Sequence, residues 1–410
     1  MAWPSLPIEL VDIIIGLLRD DWRSLVACSL ADPRWTPLAF THLSVSKVTL
    51  ELDWPLCPDI EDFTRIFRPG LPISQTVTHL TIRGTSTHVA DLLPLPDALD
   101  LNHLSQLTSL HVRHFLVHSL QVFSRFIFRC PALRELSIES VGIEQTARLQ
   151  PMKPGPTIYP MPSTLTRIRI SEPSEMVPVS FTEPLYYSLM INNPPVPLES
   201  LMVHRPPRCQ SWVAVAPRSA GTLTHLSVTM SIEFRAGLPH RVTYPRLANT
   251  LAVCPHLRDL TVRYCAEKDS IQSRFPSYLT VFSHFALPDG PMQCAAVLER
   301  LRLALSYDHQ PVDDLQNIMH QFALLPRRLS RDDYPALSTV HLDILYNPRL
   351  SELDSPTAEN ISAFTEALKA TMQPQDPRDA VIDVAAVSVD DWESQHCSLT
   401  AWYGTGATQQ

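Results

Sequence analysis

Two stretches decide how the chain is read: CPALRELSI at 130–138 and CPHLRDLTV at 254–262. They share Cys, Pro, Leu, Arg and Leu in register, and the remaining differences are mostly conservative. Working outward, their ending (apolar, two variable, apolar, one variable, apolar) recurs. It appears in VTHLTI (77–82), LTSLHV (107–112), LTRIRI (165–170), LESLMV (198–203), LTHLSV (223–228), LERLRL (298–303) and LSTVHL (337–342). The central apolar residues are Leu80, Leu110, Leu136, Ile168, Leu201, Leu226, Leu260, Leu301 and Val340, at steps of 25 to 41 residues. Apolar residues alternating over so short a run predict a strand with one buried face.

A short strand with a longer return, repeated many times, is the logic of leucine-rich repeats. The expected fold is therefore α/β, with parallel strands in one curved sheet and helices or loops outside. Val117–Phe128, Arg246–Val253, Val312–Leu325 and Ala358–Met372 carry helical patterns. The steps exceed the roughly 20–29 residues of a regular repeat, and no Asn follows the strands, so the array is expected to be irregular. A generic α/β domain is the alternative, because strand–helix alternation alone does not separate the two. The expected organisation is a helical segment at 1–43, repeats over 44–395 and a polar tail at 396–410. The proline-punctuated stretches 150–164 and 194–207 read as crossings between repeats. Residues 380–389 read as a last strand or two, Trp392 as closing the end, and the acidic segment 350–393 as the terminal cap.

Composition narrows the chemistry. The 410 residues carry a net charge of −9, of which residues 350–410 hold −8. A general nucleic-acid binder should be basic, so nucleic acid is not an expected partner. Eight cysteines with no CxxC pair read as reduced thiols of a cytosolic or nuclear protein. No basic residue precedes the first apolar run, so no secretory signal is expected. No run reaches about 18 apolar residues, so no membrane span is expected either. The 10 glycines form no phosphate-cradling motif, and HExxH and GxSxG are absent. His111, His114 and His118 lack a cysteine or carboxylate at ligand spacing, so no metal site and no cofactor are expected. The pairs Asp313-Asp314, Asp332-Asp333 and Asp390-Asp391 read as helix caps or turn residues. Cys254 and Cys265 read as buried thiols. No catalytic constellation assembles, and the chain is not read as an enzyme.

The N-terminal stretch LPIELVDIIIGLLRDDWRSLVACSLADPRWTPLAFTHL (6–43) predicts three short helices. Pro7 suits a first helical position. Leu10, Ile13, Ile14, Leu17 and Leu18 make one apolar stripe. Asp20 or Asp21 is placed to cap a second helix and Asp32 a third. So small a unit has more apolar surface than it can bury in itself. The surplus must meet the rest of the chain or a partner.

This stretch resembles an F-box. The resemblance rests on Leu6-Pro7, Glu9-Leu10, Ile13-Ile14, Leu17-Leu18, Leu25 with Cys28-Ser29-Leu30, and Trp35 before Ala39. Pro33 and Pro37 flank Trp35, which departs from the family's unbroken third helix and requires that helix to start late. The resemblance implies docking to a Skp-type adaptor and through it to a cullin. It assigns that contact to Leu6, Pro7, Leu10, Ile14, Leu25, Cys28, Leu30 and Trp35. The chain would then be the substrate-recognition subunit of a Skp–cullin–F-box ubiquitin ligase. The rival reading is a leucine-rich-repeat scaffold whose N-terminal helices only cap the solenoid. An exposed stripe favours the first reading and a buried one the second.

Side-chain alternation also marks a face for the target. The nine units place 27 residues on the face opposite the buried leucines. Seven are Arg83, Arg113, Arg167, Arg169, Arg263, Arg300 and Arg302, and five are His79, His111, His204, His225 and His341. Four are acidic: Glu135, Glu139, Asp259 and Asp343. Arginine's planar fork suits carboxylate or phosphate, so the expected partner is a protein with an acidic or phosphorylated segment.

Overall fold

A computed structural model of the chain describes residues 7–19, 21–42, 47–52, 72–84, 93–94, 101, 104–117, 127, 129–143, 161–171, 185, 189, 192–204, 212–232, 251, 253–266, 294–306, 325–346, 358–372, 380–388 and 391–392. The chain divides into two compact units. One is Met1–Leu165 with Glu175–Ser188, and the other is Thr166–Ser174 with Leu189–Gln410.

The first unit opens with α1 (Ile8–Gly16), α2 (Trp22–Ala31) and α3 (Thr36–His42). Pro7 lies just outside α1 in extended backbone, one position earlier than expected, and its carbonyl accepts from the Leu10 and Val11 amides. Asp21 caps α2, with Oδ1 accepting from the Ser24 amide and Oδ2 from its hydroxyl. The Asp32 side chain closes a turn onto the Arg34 amide at 2.9 Å and does not itself start the third helix. That helix begins at Thr36, which leaves Pro37 in the first turn, where it breaks no backbone bond. The third helix packs on the other two. The buried side chains of the three helices include Val11, Ile15, Leu25 and Ala39. His42 Nε2 meets Asp12 Oδ1 at 2.7 Å, and the absence of a side chain at Gly16 leaves room for the His42 ring.

The unit continues with β1 (Lys47–Leu52), β2 (His79–Gly84), β3 (Leu93–Pro94), β4 (Ser109–Val117) and β5 (Glu135–Ile143). The order is β1-β2-β4-β5, all parallel, with β3 paired to the far end of β4. The second unit holds β6 (Arg167–Ser171), β7 (Ser200–His204), β8 (His225–Ile232), β9 (Asp259–Ala266), β10 (Arg300–Ser306), β11 (Thr339–Tyr346) and β12 (Val381–Ser388). They pair in chain order, again all parallel. Its helices are α4 (Trp212–Arg218), α5 (Leu325–Arg328) and α6 (Ala358–Thr371). Each unit is thus built in solenoid fashion, consecutive strands lying side by side with returns between them. Among the described residues no helix is long and apolar enough to cross a membrane.

The repeat phrase has a physical cause at every position. The first, central and last apolar residues of all nine units are buried. The central residues align across strands: Leu80 with Leu110 and Leu136, and Leu201 with Leu226, Leu260, Leu301 and Val340. Before β5 the chain turns at Cys130, whose carbonyl accepts from the Leu133 amide at 3.1 Å. Before β9 Cys254 does the same for Leu257, and before β10 Cys294 for Leu298. All three thiols are buried. Burial pushes the Cys254 and Cys294 thiols up to about 11, so both stay protonated while they pack in the interior. One carbonyl then fixes the next strand. Thr108 O accepts from the Arg134 and Glu135 amides, and Thr224 O from the Arg258 and Asp259 amides. The recurring Arg-Glu and Arg-Asp therefore occupy one structural position.

Some expectations are corrected. Val117 closes β4 and does not open a helix. Residues 118–126, 246–250 and 312–324 of the expected helices, Asp313-Asp314, His118 and the tail 396–410 lie outside the described residues. The helix expected at Ala358–Met372 is α6 and the strand at 380–389 is β12, whereas β1 and α4 were not expected. In the first unit the strand pattern is broken by positive φ at His114 (57°) and Ser140 (52°). These two residues follow the paired Arg113 and Glu139, and pairing resumes at Phe115 and Val141. The bend brings the His114 carbonyl so close to Gly84 that an added Cβ would sit 2.3 Å from it.

Leu136→Ala and Leu226→Ala should each lower unfolding stability by about 2–5 kcal/mol. Leu17→Ala, at an exposed position, should change it by less than about 0.5 kcal/mol. Urea denaturation of the three variants checks the register, and a neutral Leu136→Ala would show it to be wrong.

Candidate functional site

The first candidate surface is α1. Four of the five stripe residues named above face solvent: Leu10 is 47% exposed, Ile13 61%, Ile14 49% and Leu17 81%, whereas Leu18 is half-buried. Ile8 and, from α2, Leu30 are exposed with it, and so is Pro7. The helix is apolar on two sides. Val11 and Ile15, one turn apart, take the inner side, so the wider stripe is left outside. Among the expected contact residues, Leu25 is corrected. It is fully buried and supports the helices from within. Cys28 and Trp35 are half-buried, and Leu6 lies outside the described residues. Ile8 was not expected in the patch. Its spacing to the stripe was the available signal.

The second candidate is the face opposite the leucines. It is less open and less cationic than the arginine count suggests. In the first unit Arg83 Nη1 stands 3.8 Å from Glu51, and Arg113 Nη2 is 2.6 Å from Glu139. His111 Nε2 is 3.6 Å from the same carboxylate and is buried. In the second unit Arg300 takes both oxygens of Asp259, which also meets His225 Nε2. Arg302 Nε is 3.6 Å from Asp343, and His341 pairs with Asp383 at 3.3 Å. Arg167 is half-buried, whereas Arg169 and Arg263 are 3% and 4% exposed. Every arginine–carboxylate pair here joins neighbouring strands, where opposite charges support the pairing. Arg300, at 59%, is the most exposed of the arginines in the second unit's expected site.

The chain also returns to this face. Trp392 is fully buried, and its indole N–H donates to Asp343 Oδ2 at 2.9 Å. The Arg263 guanidinium lies 5.1 Å from its ring centroid, and His204 meets the ring edge-on at 6.1 Å. Ala304, Leu345 and Val387 complete the seat. A reciprocal turn positions it: the Ser388 hydroxyl donates to Asp391 Oδ2 at 2.6 Å and accepts from the Asp391 amide at 3.0 Å. Trp392 was read as an end-closing residue; nothing in the local pattern indicated which face it would cover.

The electrostatics follow the packing. Burial alone would raise Glu139 and Asp259. Hydrogen bonds from His111 and Arg113 to Glu139, and from His225 and Arg300 to Asp259, outweigh it and hold both at about 2, down from the ordinary 4.5 and 3.8. Asp343 goes the other way, because burial raises it more than Arg302 and the indole lower it. Burial likewise lowers His114. Among the described residues no three His, Cys, Asp or Glu side chains are grouped to hold a metal ion.

No family model matches the chain, and no curated protein does. Among solved structures, a structural-genomics target from Bacteroides fragilis matches at 10% identity with a TM-score of 0.39, over 82% of this chain and 73% of its own.

Carboxyls held down in the folded state stabilise it above their unfolded pKa, and that contribution is lost as pH falls through the folded value. Urea midpoints should therefore drop between about pH 4.5 and pH 2. Glu139→Gln and Asp259→Asn should each flatten that limb, and an unchanged slope in both would remove these pairs as its origin.

Proposed function

We propose that this chain is the substrate-recognition subunit of a Skp–cullin–F-box ubiquitin ligase. α1 to α3 act as the F-box, and the strands form an irregular leucine-rich-repeat domain that holds a target protein. The observation that carries this reading is the outward apolar stripe of α1. A contiguous apolar patch left open by a folded chain marks an interaction site, and a capping role would have buried it. The late start of α3 accommodates Pro37 in its first turn, while Pro33 and Trp35 precede that helix, so the departure from the family's unbroken third helix remains.

In this reading the chain makes and breaks no bond. It raises the effective concentration of the target beside the ubiquitin-loaded enzyme, in the cytoplasm or nucleus. The target is an acidic or phosphorylated protein segment that reaches the second unit's arginine face at Arg300, competing there with Asp259.

Ile14→Asp should reduce co-purification with a Skp-type adaptor at least about tenfold, or 1.4 kcal/mol, with an unchanged melting curve. Full capture by that variant would overturn the F-box assignment. The target surface is tested separately, with a target identified by proximity labelling and then purified. Arg300→Glu should weaken its binding about tenfold while adaptor capture is kept, and added salt should weaken the unmodified complex. Equal binding by Arg300→Glu at low and high salt would overturn the target surface.

A further inference from the structure

The seat of Trp392 is built unlike a core. By register, Thr229, Arg263, Ala304 and Asp343 form one line across β8 to β11, and His204, which meets the Trp392 ring, follows Val203, the last β7 residue paired with β8. Four of the five are polar or charged and all are buried. Burying such groups is costly unless something pairs with them, and an apolar line would close a fold more cheaply. The Thr229 hydroxyl has no hydrogen-bond partner among the described residues. Ala304 is the small member of the line, and the indole packs with it. What fills the seat is one aromatic side chain carrying an N–H donor, delivered by a turn beyond the last strand. Its sequence neighbours are Asp390, Asp391 and Glu393. An aromatic ring carrying an N–H donor is complementary to a seat made from an arginine, an indole-accepting carboxylate and an apolar floor.

We propose that this line is an aromatic-anchor site for an acidic protein segment, and that Asp391-Trp392 is its occupant in cis, displaced when the target binds. The proposal rests on the target-binding half of the function given above and specifies it: the target presents Trp, or a residue like it, flanked by Asp or Glu. The chain's own terminal segment then sets a threshold, since a target must outcompete an occupant already tethered at high effective concentration.

A fluorescein-labelled peptide of residues 387–396 (VSVDDWESQH) is the probe, read by anisotropy against the full chain. Trp392→Ala should bind it at least tenfold more tightly than the unmodified chain, and a peptide with Ala in place of Trp should not bind. Binding by Trp392→Ala no tighter than by the unmodified chain would overturn the proposal. A second readout needs no substitution. With the unmodified chain uniformly labelled with nitrogen-15, the Trp392 N–H should exchange with solvent at least tenfold faster than the Val340 and Leu342 amides. Exchange as slow as those amides would make Trp392 part of the cooperative fold and would equally overturn it. The salt and Arg300→Glu measurements score target binding itself, so its failure and failure of the cis occupant give different results.

Discussion

Everything else in the structure depends on one repeated constraint: a leucine-type side chain at the centre of each strand must meet its counterpart on the next. A slip of one residue would turn every strand's apolar set outward. The match from Leu201 through Leu226, Leu260 and Leu301 to Val340 therefore also places what lies on the other face. Arg300 faces Asp259 because Leu301 faces Leu260. Arg302 reaches Asp343 because Leu303 lies beside Leu342. The charges do not choose the register; they occupy positions that the buried residues assign.

That ordering explains what could be read in advance. The nine strands were legible because burial selects apolar residues at fixed spacing, and each unit carries the selection locally. β1 carries the same phrase, as VSKVTL at 45–50, but it follows directly on the helical stretch and was passed over. On α1 the amphipathic spacing was visible, but Val11 and Ile15 compete with the Leu10 to Leu17 stripe for the inside. Only the packing of α3 decides between them. Leu25 was misjudged for the same reason.

The candidate site was harder to read, because its chemistry lies in pairs distant in sequence. Counting arginines on a face says nothing about which of them faces a carboxylate some forty residues on, as Arg300 faces Asp259. Nor does a strand pattern anticipate a backbone bend such as that at His114 and Ser140, which interrupts the alternation behind the count. The seat of Trp392 joins residues of β7, β9, β10 and β11 to a turn beyond β12.

The single carbonyl that receives two amides from the following strand has a consequence for how such a chain can change. Thr108 positions Arg134 and Glu135, and Thr224 positions Arg258 and Asp259, by the same local handshake. The length of chain between the two partners does not enter into it. Returns can lengthen or shorten while strands stay in place, which suits steps that range from 25 to 41 residues. Each such unit brings its own turn and its own two amides, and meets its neighbour at one carbonyl. CPALRELSI and CPHLRDLTV share five of nine residues, and these include the cysteine of the turn and the buried leucines, which are what the handshake and the buried face require.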